Sequence, residues 1–425
     1  MSATIAFVGV VVFAFVVGRA LERFATRLMV FSGAEYVVLG AVLGPFLPLH
    51  VITSEDIAAI DPLVSTVLGA VGFFVGLRVR HVRATREAML AGMAAALAVV
   101  LVVAAVATQA FELLEPSLAM LEPLIAEPFS IDGDVVFWVW LTPVGLWVGL
   151  TVGAAAAGSS TAIIDIAASR FGASESRCGL LRGMASMAEL LAVFAFGLAM
   201  ATTRATTAAE ALGLTVTEWS FLTMAAGAFT GLLFIVFIGR DDDPTRMNVA
   251  TLGAIVFAAG VGTALGVSPL FVNLIAGLTV ALAYPRAEEL DDALEPLRLP
   301  ATVLVLVLAG LMWVPTSGWL WTFVPGYALL RFVARRIFSR VAVATFVTDT
   351  SMAPGVGRAL LAQGVVAGAI CVAFAQRFPE MAGVVTSTIL GGMVLSDAVA
   401  LPSLRRYLAD MGELRPIVVA KEDPK

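Results

Sequence analysis

Glu189 is a carboxylate set inside a long apolar run, Met184-Ala-Ser-Met-Ala-Glu-Leu-Leu-Ala-Val-Phe-Ala-Phe-Gly197. An acid at membrane depth costs about 2.5–3.5 kcal/mol on insertion scales, and such groups are kept where they hold a charge, a proton or an ion. Ion or proton transport is therefore the chemistry this residue points to first. A second stretch ends the preceding apolar segment: Gly153-Ala-Ala-Ala-Ala-Gly158-Ser159-Ser160-Thr161-Ala162. Small residues followed by hydroxyls suit a helix broken in mid-membrane, where freed carbonyls and half-helix dipoles can hold an ion. They equally suit close helix packing, and Glu189 on the next segment favours the functional reading.

Near the C-terminus the pattern returns. Leu360-Leu-Ala-Gln363-Gly364-Val-Val-Ala-Gly368-Ala again combines small residues with a polar group, here an amide, and the following segment carries Ser396-Asp397. A small and polar stretch followed by an acid, met twice in opposite directions, is the trace expected of inverted repeats around a midplane site. Asp397 also lies within two turns of Arg405 and Arg406, where a helix-end ion pair is the plainer account. Arg331, Arg335, Arg336 and Arg340 recur at helical spacing on one segment. They either snorkel to the interface, or one of them is a buried counter-charge to the site carboxylate.

Positioning these groups requires a polytopic membrane protein. The 425 residues are 60% hydrophobic and 14% charged, against about 25% charged in soluble domains, and the mean hydropathy is +0.97. The expected architecture is all-α, one membrane domain over 1–425. Apolar runs of spanning length number thirteen: near 4–20, 33–49, 61–79, 87–110, 134–157, 177–200, 218–239, 248–265, 268–284, 299–314, 318–343, 356–377 and 381–404. Residues 4–18 lack a basic flank and a small-residue cleavage site, so they are expected to stay as the first span. All 26 basic residues except Arg204 and Arg377 fall on one side of this alternation. The positive-inside rule then places the N-terminus outside and the C-terminus inside, with a short cytoplasmic tail, 408–425.

The acidic loop 111–133, with Glu112, Glu115, Glu122, Glu127 and Asp132, either concentrates cations at an entrance or is a solvated loop. Asp165 and Arg170 are expected at the cytoplasmic surface, and Asp241–Asp243 in a turn. Cys178 and Cys371 suggest no disulfide framework, and His50 and His81 make no metal cluster. No basic stretch with interleaved aromatics suggests nucleic acid. The expected setting is the lipid bilayer of the cell (inner or plasma) membrane.

Taken together, these segments resemble the monovalent cation:proton antiporter family (sodium/proton exchanger fold). The resemblance is carried in order by Gly40-Ala-Val-Leu-Gly44-Pro45, Leu68-Gly-Ala-Val-Gly-Phe-Phe-Val-Gly76-Leu77, Ser159-Ser160-Thr161-Ala162, Gly266-Val-Ser-Pro-Leu-Phe with Ala276-Gly277-Leu278, Leu360-Leu-Ala-Gln-Gly364 and Val394-Leu-Ser-Asp-Ala-Val-Ala-Leu-Pro402. It spans about residues 33–407. It implies two crossed, broken helices in a core of helices about 87–203 and 318–407. It also implies a dimer scaffold of helices about 1–80 and 248–314, a linker helix about 218–239, and a homodimer. The sixth-span acid, here Glu189, would bind a monovalent cation (Na+ or K+) and a proton in turn, with Ser159, Ser160 and Thr161 beside it. Gln363, Asp397 and a basic residue in the pattern Arg336-Ile-Phe-Ser-Arg340 would support it. Arg331 to Arg335 has the same spacing. No cofactor beyond the transported ions is implied, and no enzymatic activity.

One departure stands out. The family has an acid pair or an amide–acid pair ending in aspartate, whereas this chain has Ala188-Glu189. One fewer titratable or ligand group makes electroneutral one-for-one exchange the natural expectation. Two other readings remain. A sodium-coupled symporter of a small organic anion would need a roomier polar site, and no cluster of Asn, Gln and Thr lies beside Glu189 in the sequence. A transport-inactive sensor or scaffold is motivated by the missing acid partner.

Overall fold

The computed structural model describes residues 33–44, 59–81, 85–114, 143–171, 173, 175–207, 215–238, 244–316 and 318–412. The expected first span, the acidic loop beyond Leu114, the Asp241–Asp243 turn and the end of the tail lie outside the described residues. So does the side chain of His81.

Among the described residues the regular structure is helical: α1 (Ala34–Leu43), α2 (Asp61–His81), α3 (Arg86–Leu114), α4 (Pro143–Ala157), α5 (Thr161–Phe171), α6 (Glu175–Thr207), α7 (Val216–Ile238), α8 (Pro244–Leu265), α9 (Pro269–Ala283), α10 (Ala287–Leu311), α11 (Phe323–Phe346), α12 (Val356–Ala359), α13 (Gly364–Arg377) and α14 (Ala382–Asp410), with short 3-10 turns at Gly318–Thr322 and Thr350–Met352. Among the described residues eight segments are long and apolar enough to cross a membrane, one of them running through α4 and α5 together. The chain is a multi-pass membrane protein. On α7 the side chains of Phe221, Phe229, Val236 and Phe237 point out of the protein, as suits a helix in a lipid surrounding.

Two helices depart from the expected segments for physical reasons. Residues 285–298 carry five acids and read as a loop before a span at 299, yet α10 begins at Ala287. Its first turns are amphipathic: Ala287, Leu290 and Leu294 are buried, while Glu288, Glu289 and Glu295 stay on the open side. Pro296 and Pro300 lie inside this helix. The second departure is in α11, which turns its apolar side chains Leu329, Val333, Ile337 and Val341 outward and buries Tyr327, Arg331, Arg335 and Ser339. A helix at the lipid boundary is apolar on its outer face, the reverse of a helix on a soluble protein.

Among the described residues the largest core cluster is continuous, joining α1, α2, α9 and α10 to α3, α4, α6, α13 and α14. α2 packs most extensively on α9 and also meets α8 and α10, while α7 lies on α9. The α2–α9 contact is backbone on backbone. A Cβ at Gly72 would run into the Leu270 carbonyl oxygen, and one at Gly277 into that of Phe73, so glycine is required for this approach. Elsewhere α3 packs on α4, α6 and α11, and α11 and α13 pack on α14. α6 is joined to α2 and α9 by smaller contacts.

Candidate functional site

The expected interruptions are both present, and they meet. α4 ends at Ala157 and α5 restarts at Thr161, leaving Gly158, Ser159 and Ser160 outside helix. α12 ends at Ala359 and α13 starts at Gly364. The Ser160 amide donates to the Ala362 carbonyl at 2.8 Å, and the Ser159 hydroxyl donates to the Leu360 carbonyl at 3.1 Å. Gln363 Nε2 donates to the Ala155 carbonyl at 3.1 Å and to the Tyr327 hydroxyl oxygen at 2.5 Å. Gly364 sits at φ 68°, where glycine pays no steric penalty, and a Cβ there would come 2.8 Å from that of Ser160.

A helix broken in lipid leaves carbonyls at its C-terminal end and amides at its N-terminal end, with partial negative and positive charge. Two arginines of α11 take the negative ends. Arg331 donates from Nε to Ala156 O at 3.0 Å, from Nη2 to Gly158 O at 2.9 Å, and from Nη1 to Leu361 O. Arg335 donates through Nη2 to Gly158 O at 2.9 Å and to Ala157 O. Both side chains are fully buried. The planar guanidinium fork suits several carbonyls at once.

This corrects two expectations. The buried basic residues of this segment are Arg331 and Arg335, whereas Arg336 and Arg340 are exposed. The pattern Arg336-Ile-Phe-Ser-Arg340 is therefore one helical face out of register with the interior. Furthermore, the carbonyls freed at Ala156, Ala157 and Gly158 are occupied by guanidinium groups, so the ion ligands they were expected to supply are already engaged. Neither arginine reaches Glu189, and their partners are carbonyls of the broken helices.

Each membrane acid lies by the positive end of a half-helix. Glu189 is 3% exposed and sits beside Thr161, the first residue of α5. The same nitrogen, Arg78 Nη1, lies 3.3 Å from Glu189 Oε2 and 2.7 Å from Thr161 Oγ1. Asp397 is 4% exposed, and its Oδ1 accepts the Gln363 amide N–H at 3.1 Å, at the start of α13. A helix-end ion pair with Arg405 and Arg406 does not describe Asp397: those arginines are exposed, and Arg405 lies over the Phe171 ring.

Of the expected site residues, then, Thr161 is brought to Glu189, while Ser159 and Ser160 hold the crossing of the two breaks. Gln363 at the start of α13 and Asp397 of α14 form the matching arrangement at the other break. Asp165 of α5 pairs with Arg182 of α6.

Arg78 is the residue that spacing did not reveal. It stands among Arg78, Arg80, Arg83 and Arg86, which read as one cytoplasmic cluster. In space the cluster divides. Arg80 caps the end of α9, donating to Tyr284 O at 2.9 Å, and Arg78 turns to the carboxylate. The available signal was position: Arg78 directly follows Gly76-Leu77 and so belongs to the end of the span. Among the described residues no group of three His, Cys, Asp or Glu gathers as a metal site.

No protein-family model and no curated protein matches this sequence. Among solved structures, the chain is similar to the sodium proton antiporter MjNhaP1 from Methanocaldococcus jannaschii at pH 8. The TM-score is 0.63 at 16% identity, over 97% of this chain and 98% of that one. An electron-microscopy structure of the same antiporter gives a TM-score of 0.58 at 16% identity over 100% of both chains. At that identity the likeness is one of fold: the chain has the fold of this sodium proton antiporter, in keeping with the order of its motifs.

Proposed function

We propose that this protein exchanges a monovalent cation, Na+ or K+, for H+ across the cell membrane by alternating access, and that Glu189 carries one or the other. The observation that supports this most is a lone carboxylate, buried at 3% exposure, beside the first residue of a half-helix that restarts inside a segment of spanning length. Burial disfavours a bare charge there, so a proton and a cation compete for a single site. Thr161 offers a further oxygen near it, and Ser159 and Ser160 keep the break that exposes it. One carboxylate with Ala188 beside it favours electroneutral, one-for-one exchange.

On this reading α3–α6 and α11–α14 form the moving core, and α1, α2 and α8–α10 belong to a dimer scaffold, with α7 linking the two. The placement of Glu189 and Asp397 at the starts of α5 and α13 supports an inverted repeat relating the two broken helices. Thirteen spans with the N-terminus outside remain the topology that best accounts for the distribution of basic residues.

The test is proton flux in liposomes carrying an imposed pH gradient, with Na+, K+ or Li+ added in turn. At least one cation is expected to dissipate the gradient, with no dependence on membrane potential. No response to any of the three from folded protein would overturn the proposal.

A further inference from the structure

We infer that Arg78 is a tethered cation: it occupies Glu189 when neither proton nor transported cation does, and thereby locks the empty site to α2. The inference rests on Glu189 being the ion-carrying carboxylate.

Among the described residues, Arg78 is the one cation within ion-pair distance of Glu189. Its side chain is 25% exposed against 4% for that of Glu189, so the guanidinium reaches inward from the wetter end of α2 into a dry site. The anchor on Thr161 is short, at 2.7 Å, and the approach to Glu189 is longer, at 3.3 Å. Charge-assisted bonds between fully engaged partners run nearer 2.7–2.9 Å, by the usual geometry. The pair is thus loose enough to be displaced by an ion on the carboxylate. Other charges near the site are already engaged: Arg298 pairs with Asp291 and Glu295 on α10, and Asp165 pairs with Arg182.

The helix that carries Arg78 is a rigid support. α2 is held against α9 through backbone contact at Gly72 and Gly277. At its other end α2 has a second tie to the core, where Asp61 Oδ1 accepts from Gln376 Nε2 of α13 at 2.6 Å. Its contact with α6 is small by comparison, so the ion pair is a principal tie between α2 and the carboxylate. Any displacement of α5 and α6 along α2 must break it. A bare, charged Glu189 holds the tie, whereas a protonated or cation-loaded Glu189 gives Arg78 no unpaired charge and frees the helices. Such a device allows the loaded site to cross and retains the empty one, which is what strict exchange requires.

The experiment compares wild type with Arg78→Gln, which removes the charge but keeps a polar side chain, and with Arg78→Lys, which keeps the charge. Two quantities are read: the cation concentration giving half-maximal thermal stabilisation in detergent, and cation flux driven by membrane potential alone in liposomes. Removing a bound competitor raises apparent affinity by the inverse of the unblocked fraction, so Arg78→Gln is expected to lower the half-maximal concentration about tenfold. It is also expected to open potential-driven cation flux, while Arg78→Lys stays near wild type. If wild type exchanges cations and Arg78→Gln matches it in both readouts, the lock is wrong and the exchange reading stands. If no cation stabilises or crosses with either protein, the role of Glu189 fails and the lock fails with it.

Discussion

Glu189→Gln is expected to abolish cation-dependent proton flux while leaving the protein folded. The amide has nearly the volume of the carboxylate and keeps hydrogen-bonding capacity toward Arg78 and Thr161. It cannot take up a proton at working pH or neutralise a monovalent cation in a dry site. A charged group at 3% exposure also carries a desolvation cost that the amide avoids, so the melting temperature in detergent should match or exceed wild type. The effect is therefore separable: flux falls to the level of empty liposomes, and stability does not fall. Retained cation-dependent flux in this variant would show that the carboxylate is not the carrier.

The largest structural effect is expected at Arg331. This side chain donates to the carbonyls of Ala156, Gly158 and Leu361, all at the negative ends of interrupted helices. Truncating it to alanine strips Ala156 O and Leu361 O of this donor in the buried interior, while Gly158 O keeps Arg335. A buried acceptor left unsatisfied typically costs about 1–3 kcal/mol, and two of them are a large share of the stability of a folded domain. Arg331→Ala should melt far below wild type or fail to accumulate, as measured by thermal denaturation in detergent. Arg331→Lys should recover part of the loss, because an ammonium keeps the charge but not the fork. Arg336→Ala and Arg340→Ala, on the exposed face, should each stay within about 0.5 kcal/mol of wild type. A normal melt for Arg331→Ala would mean that the broken helices are stabilised by something other than the guanidinium.

These variants mark where linear reasoning reaches and where it stops. Glu189, the break at Gly158–Ser160 and the break before Gly364 were legible because each is a local anomaly: an acid, hydroxyls, or an amide and glycine inside an apolar run. Their meeting in space agrees with the motif order. The choice between Arg331/Arg335 and Arg336/Arg340 was not legible, since both pairs have the same spacing. It is decided by which face of α11 meets lipid, and there Leu329, Val333 and Ile337 take the outside. Asp397 looked like half of an ion pair with nearby arginines in sequence. It accepts from the Gln363 amide, which comes from another helix and is invisible to spacing. Arg78 was hidden by the rule that located it, because a basic residue at a span's inner end is expected at the membrane surface whatever it touches. The first turns of α10 were lost for a related reason: five acids in a short stretch outweigh two buried leucines in composition but not in packing.

The most direct test of the central claim is to count protons released when a cation binds. Purified protein in weakly buffered detergent solution is titrated with the cation that supports exchange, and the pH change is compared with cation bound. The account predicts about one proton released for each cation bound in the pH range where Glu189 is protonated, and none from Glu189→Gln. Cation binding without proton release, or release that persists in Glu189→Gln, would contradict a shared site at this carboxylate.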